Sequence, residues 1–369
     1  MVEAGRLKLG FIALNDAAPM IVADALGYFA EEGLQAELSR QVSWATMRDK
    51  LSVGALDGAH MLAPTVLATS IGAGAPEPTP LVAPLALNLN GPAVTLSSRL
   101  AGVVGDDGSA DGLARLVARR RQEGASPITL AVVFPFSIHN YLLRDWLARS
   151  GLDPDRDVRL TVAPPARMTG LLVDGVVEGF CVTEPWDTAA VVAGAGVIAV
   201  RGGRIWPRTP DKVFAVAGAC AAADPPRLQA LLRAMIRAAA WCDAPDNRAG
   251  LAEILSRPHY VGAEARVIAR SLGDIVYDAD GAGQPLPVHA AWLLAQMMRW
   301  GHIPPDTDIA AVARRVYRPD LYAQAAASLG MSTPAPTDSL VGYGANGAFS
   351  LADARGEAVH APLSRVSQD

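Results

Sequence analysis

Cysteine is scarce in this chain: Cys181, Cys220 and Cys242 are all there is among 369 residues. An odd count without CxxC spacing excludes a disulfide scaffold and a cysteine-built zinc site, and the apolar stretch around each reads as a buried, reduced thiol. Long apolar runs are missing too, since no run approaches the ~18 consecutive apolar residues of a membrane-spanning helix. Basic charge does not accumulate either: 32 Lys and Arg stand against 37 Asp and Glu, a formal net charge of −5. A sequence-independent nucleic-acid binder needs a basic field, so direct contact with nucleic acid is not expected. There is no GxSxG, HExxH, Walker loop or GxGxxG opening a βαβ unit, which argues against an enzyme. The stretch DADGAGQ at 278–284 lacks the ligand series and closing Glu of a calcium loop and reads as a turn. No metal or cofactor is therefore expected.

What the chain does have is apolar material, 51% of its residues, laid out as alternating strands and helices. LKLGFIAL at 7–14 reads as a buried strand, and AAPMIVADALGYFAEEG carries apolar residues at helical spacing, with Asn15 or Asp16 as its cap and Gly33 as its stop. QAELS, GAHML and PLVAPLAL follow as strands, with helices through SWATMRDKLSVG and from Pro64 between them. Strands and helices in this alternation imply parallel sheets covered on both faces. The length predicts two lobes at ~100–200 residues per domain. Residues 1–98 are assigned to the first lobe. Residues 99–210, with strands ITLAVVF, VRLTV and GVIAV and the strand-to-helix turn GFCVTEPW, form the second. Residues 211–330 return to the first through KVFAVAGACAA and two amphipathic helices. The Ala-, Pro- and Ser-rich segment 331–369 is expected to wrap the surface or be partly disordered.

Strand-to-helix turns are where such a fold can hold a small anion, because helix N-termini leave free N–H groups and carry partial positive charge. A small oxyanion needs several converging donors and a positive group to replace its lost water. Trp44 opens a helix behind the candidate cap Ser43, so its indole N–H either points at a ligand or its ring packs in the core. His139 stands at the turn FPFSIHN, where a ring N–H can donate across a cleft. Thr183 follows the strand in FCVTEPWD and either offers a hydroxyl and a backbone N–H to a ligand or is an ordinary helix cap, while Glu184 would repel an anion and is read as structural. Lys212 begins a strand and either places a full charge at the cleft or, as the residue taken alone suggests, is a solvated surface lysine. Asp57 and His60, at the strand of DGAH, are read as structural.

The stretches LGFIALNDAAPMIVADALGYFAEEGL, SWATMRDKLSVGALDGAHMLAP, LNLNG, FCVTEPWD and AAWLLAQMMRWG resemble the nitrate- and bicarbonate-binding protein family, from about Leu7 to Leu329. That family includes periplasmic receptors of the NrtA and CmpA type and cytoplasmic sensors of the NasS type. The resemblance implies an α/β, two-lobed periplasmic-binding-protein-like (type II) fold, each lobe a mainly parallel sheet flanked by helices, that binds an anion in the inter-lobe cleft and performs no chemistry on it. It maps a ligand-facing tryptophan to Trp44, a ligand-binding histidine to His139 and the lysine of nitrate binders to Lys212. With Ala45 and Thr183 these make the expected ligand set. Bicarbonate binders tend to carry an acidic residue paired with calcium where Lys212 stands, so nitrate or nitrite is the expected ligand. Three departures stand out: Pro92 replaces a glutamine common after the Asn-Gly turn, and Ala45 and Thr183 occupy positions often held by glycine.

The start MVEAGRLKLGFIAL shows no export signal, so the expected location is cytoplasmic. The resemblance then points to the NasS-type sensor, which controls nitrate-assimilation genes through an ANTAR-domain antiterminator partner (NasT-like) that itself contacts RNA. The alternative is the periplasmic substrate-binding subunit of a nitrate or bicarbonate ABC transporter. A third class, the pyrimidine-precursor synthases of thiamine biosynthesis, shares the general fold but carries a Cys-rich stretch that this sequence lacks.

Overall fold

A computed structural model of the chain describes residues 6–74, 77–344 and 347–356. Ten strands form two five-stranded sheets: β1 (Leu7–Phe11), β2 (Ala36–Arg40), β3 (Gly58–Leu62), β4 (Leu81–Ala86), β5 (Pro92–Ser97), β6 (Ile128–Val132), β7 (Val158–Val162), β8 (Gly179–Thr183), β9 (Gly196–Arg201) and β10 (Lys212–Ala217). The first sheet has the order β2-β1-β3-β10-β4 and the second β7-β6-β8-β5-β9. Helices flank both, and none among the described residues is long and apolar enough to cross a membrane.

Each sheet is mixed, for a topological reason. The strands joined by βα units pair in parallel, β2-β1-β3 in one sheet and β7-β6-β8 in the other. A strand that enters from the opposite lobe runs the other way, so β10 pairs antiparallel with β3 and β4, and β5 with β8 and β9. The strand Pro92–Ser97 therefore belongs to the second sheet. The first crossing lies at residues 87–91, ahead of the boundary at 98 that the Gly- and Asp-rich stretch 101–112 had suggested. That stretch is a surface connection within the second lobe.

The two crossings hold one another. The Asn90 backbone N–H donates to the Thr209 carbonyl at 2.7 Å, and the Thr209 N–H donates to Asn90 Oδ1 at 3.0 Å. Asn88 Oδ1 accepts from the Lys212 N–H at 3.2 Å. Asn90 and Gly91 take up left-handed φ values of 62° and 103°, which Asn and Gly tolerate best. The LNLNG segment is thus a shaped hinge, and it fixes where Lys212 begins β10.

Some local expectations change. Leu14, not Asn15 or Asp16, occupies the cap of the turn after β1, and the following helix divides at Gly27 into Ala18–Ala25 and Tyr28–Glu31. Cys181 and Cys242 are buried, whereas Cys220 is exposed on the short helix Gly218–Ala223. In the C-terminal segment a hairpin of β11 (Ser339–Val341) and β12 (Ala348–Ser350) packs on the protein, while residues 357–369 of the expected extension lie outside the described residues. Trp292 stands edge-on to Trp206, Tyr343 and Phe349, each at 5.1 Å between ring centroids, and all four are buried. Such an aromatic cluster makes the hairpin part of the core. Phe349→Ala should cost about 3–5 kcal/mol, read as a lower urea midpoint with an unchanged slope. A change within about 0.5 kcal/mol would mean that the strap is not part of the folded unit.

Candidate functional site

The site is built where β1, β3, β8 and β10 end between the sheets, with two helix N-termini facing it. Trp44 is the first residue of the helix Trp44–Ser52, whose cap Ser43 accepts from the Thr46 N–H. His139 stands in the first turn of the helix Ile138–Arg149, capped by Ser137 accepting from the Asn140 N–H. In both places the polar cap turns the chain into a helix, and the residues just past it lie in the cleft.

At the centre is Lys212. Its ammonium donates to Asp16 Oδ2 at 2.7 Å, to Asp211 Oδ1 at 2.6 Å and to Thr183 Oγ1 at 3.1 Å. The side chains of Lys212, Asp16 and Asp211 have no solvent exposure at all. Asp16 also meets His60 Nε2 at 2.8 Å, while His60 Nδ1 accepts from the Ile12 N–H, which sets the Nε2–H tautomer. Thr183 Oγ1 donates to Asp211 Oδ2 at 2.8 Å and lies 2.7 Å from His139 Nε2. With its one proton directed at a carboxylate, Thr183 accepts from His139, which is then also Nε2-protonated. Trp44 closes the pocket: Lys212 Nζ lies 5.7 Å from its ring centroid, and His60 meets it edge-on at 5.4 Å.

Burial and charge set the protonation states. Burial works against ionising Asp16, but Lys212 and then His60 outweigh it and hold its carboxyl well below the usual range. Asp211 has the opposite balance: burial, with Asp16 as a like-charged neighbour, raises it to about 6 despite Lys212. Burial lowers both His60 and His139, so both rings are neutral.

Apart from Asp16 Oδ1 and His60 Nε2, which face each other at 2.8 Å, the buried polar atoms of the cleft without a hydrogen-bond partner among the described residues are Trp44 Nε1, Asn15 Oδ1 and His139 Nδ1. The first-turn N–H groups of Trp44 and Ala45 have no intrahelical acceptor by position. An unpaired buried donor is costly, so Trp44 Nε1–H marks a place for an acceptor. Ala45 is half-buried and can contribute only its backbone.

Direct bonds cross between the lobes. The Asn15 N–H donates to the Glu184 carbonyl at 3.0 Å, Trp186 Nε1 to the Ala13 carbonyl at 3.0 Å, and Thr65 Oγ1 to the Phe136 carbonyl at 2.7 Å. The lobes are closed on the site, and entry requires them to part. Pro92 faces Thr183 across the β5–β8 pair and has no N–H to offer there.

Trp44, His139, Thr183 and Lys212 are thus brought into one cluster. Asp16, read only as a candidate helix cap, and Asp211, not singled out from the sequence, join them, and His60, read as structural, orients Asp16. Glu184 turns away from the cleft centre: its carboxylate accepts from the Thr188 N–H and hydroxyl at 2.9 and 2.8 Å. Asp57 accepts from the Lys8 N–H at 2.7 Å, a local bond outside the site.

Two lobes on a double hinge, closed over a buried cluster of polar side chains around one ammonium, define a cleft-binding receptor. The chain belongs to the NMT1-like family, whose model matches residues 2–256. It is 32% identical over 352 residues to the nitrate/nitrite binding protein NrtA of Nostoc sp. PCC 7120, covering 90% of this chain and 79% of that one. The crystal structure of the periplasmic nitrate-binding protein NrtA from Synechocystis PCC 6803 superimposes with a TM-score of 0.89 at 30% identity, over 96% of this chain and 98% of that one. The bicarbonate transport ATP-binding protein CmpC of Synechocystis PCC 6803 is 33% identical over 348 residues, 89% of this chain but 51% of that protein. The resemblance to nitrate- and bicarbonate-binding proteins therefore holds, and with it the two-lobed binding-protein fold.

Removing the ammonium tests the electrostatics. Lys212→Met leaves two buried carboxylates without their counter-ion and should cost about 3–5 kcal/mol near neutral pH. Burial alone would then raise both carboxyl groups above their unfolded values, so the variant should regain stability as pH falls through those raised values. The wild type, whose Asp16 is depressed, should lose that group's contribution as pH falls below its unfolded value. Urea unfolding at about pH 8 and pH 5 reads the variant's gain, and at about pH 5 and pH 3 the wild type's loss of the Asp16 contribution. A cost of the substitution that is equal at about pH 8 and pH 5 would contradict this charge balance.

Proposed function

We propose that this protein is a nitrate/nitrite receptor that binds its anion between the lobes and works as the substrate-binding component of an ABC-type importer. The observation that carries the anion is Lys212, a fully buried ammonium at the closing face of the cleft. Relatives named for nitrate and for bicarbonate are equally similar to this chain, so the anion must be argued from the site. A lysine in the cleft gives a planar monoanion its counter-charge from the protein itself, and Trp44, His139 and the first turn at Ala45 supply further N–H donors. Thr183 Oγ1 accepts from His139 and Lys212, the two donors an anion oxygen would take over. The protein binds and encloses without changing its ligand.

Support for import comes from the relatives, which are named as import or binding components. A cytoplasmic sensor that holds an ANTAR-domain antiterminator would use the same cleft and differ in what the lobes meet when they close. If purified anion-free protein captures such a partner and releases it on adding nitrate, the sensor reading replaces import. Stimulation of an importer's ATP hydrolysis by the nitrate-loaded protein supports import.

Calorimetry with nitrate, nitrite, chloride and bicarbonate plus calcium tests the ligand. Nitrate and nitrite should bind, and Trp44→Phe, which keeps the ring and removes the N–H, should weaken nitrate by about 5–30-fold, the worth of one buried hydrogen bond of ~1–2 kcal/mol. Heat from bicarbonate with calcium and none from nitrate or nitrite would overturn the assignment.

A further inference from the structure

The cleft proposed to hold a monoanion is short of positive charge. Among the described residues it contains one cation, Lys212, and two carboxylates bonded to it, Asp16 at 2.7 Å and Asp211 at 2.6 Å, all three without side-chain exposure. The other titratable groups around Asp211 add no cation. His60 and His139 are held neutral by burial, and the Cys181 thiol and Tyr317 phenol are pushed up by burial and stay protonated. Beyond Thr183, Glu184 and Asp187 bring further carboxyl groups, and the nearby Arg201 is engaged by Glu184 at 3.4 Å and by Asp274 at 2.8 Å. With Asp16 and Asp211 both ionised the cluster has a net charge of −1 before any ligand arrives. Adding a monoanion to a pocket without water contact would double that charge, which a low-dielectric site strongly resists.

We propose that the cleft takes up its anion together with one proton, and that Asp211 is the residue that receives it. This rests on the oxyanion reading of the same site. One proton per monoanion returns the cluster to the charge it had before binding. Asp211 is the acceptor because of its partners. Asp16 is held ionised by two donors, Lys212 and His60 Nε2–H. Asp211 has the shared ammonium and one hydroxyl, from Thr183, and an anion drawing on that ammonium weakens its hold. Burial already places Asp211 near the protonated state, at about 6. The proton comes from solvent while the lobes are apart and becomes an O–H on a carboxyl oxygen. The anion's own bonds are untouched, and the new O–H is one more donor in the pocket.

A pH-indicator dye in weakly buffered solution counts the protons taken up as nitrate is titrated into the protein, with calorimetry for affinity. From just above pH 6 towards about pH 8.5, uptake should approach one proton per nitrate and affinity should fall about tenfold per pH unit, because the bound state holds the extra proton. Asp211→Asn, which keeps the shape and cannot ionise, should bind nitrate with no uptake and a flat pH profile. Wild-type binding without proton uptake overturns the coupling and leaves the anion reading standing. Undiminished uptake in Asp211→Asn overturns the assignment to Asp211. No binding of nitrate or nitrite between about pH 5.5 and 8.5 overturns both.

Discussion

An ammonium withdrawn from water has to be given partners, and Lys212 takes them from three places. Asp16 comes from the turn after β1, Asp211 from the returning crossing and Thr183 from the end of β8 in the opposite lobe. These partners can meet only if the two sheets are held end to end with the hinge in its present shape. The Asn88 and Asn90 side chains and the left-handed Asn90–Gly91 turn provide that shape. Closure of the lobes and desolvation of the lysine are thus one event. A ligand that competes for the ammonium acts directly on the contacts that close the cleft.

The same interaction explains the division of labour among the carboxylates. Asp16 and Asp211 bind the same nitrogen and are both fully buried, yet their surroundings push them apart: Lys212 and His60 outweigh burial at Asp16, while at Asp211 burial and the like charge of Asp16 outweigh Lys212 and Thr183. Environments that separate two acids in this way give them different roles. Here one acid fixes the lysine and the other is free to adjust the charge. Thr183 links the two lobes by accepting from Lys212 and His139 while donating to Asp211. A glycine there would leave these donors for the ligand alone, so the threonine gives the closed cleft an internal acceptor.

Much of the architecture was legible in the sequence because βα alternation, strand composition and the Asn-Gly turn are local signals. So were Trp44 and His139, since a cap followed by an aromatic or imidazole at a strand-to-helix turn places that side chain at a sheet end. The lobe boundary was displaced because β5 looks like any apolar strand, and its pairing with β8 and β9 is a non-local fact. Asp16 was read, with Asn15, as a candidate helix cap, a common role of these residues before a helical run. Only its position opposite Lys212, 196 residues away in sequence, reveals its other role. Asp211 adjoins Lys212, and no periodicity distinguishes it from a solvated neighbour. The aromatic strap at Tyr343 and Phe349 was hidden in a segment whose composition is that of a tail.

The central claim is that Lys212 exchanges its internal partners for an oxyanion between closed lobes. A crystal structure of the protein grown with nitrate tests this most directly. The account predicts a planar anion enclosed between the lobes, within hydrogen-bond distance of Lys212 Nζ, Trp44 Nε1 and His139, with Thr183 Oγ1 no longer accepting from the lysine. An anion bound away from Lys212, with the ammonium still shared among Asp16, Asp211 and Thr183, would contradict it.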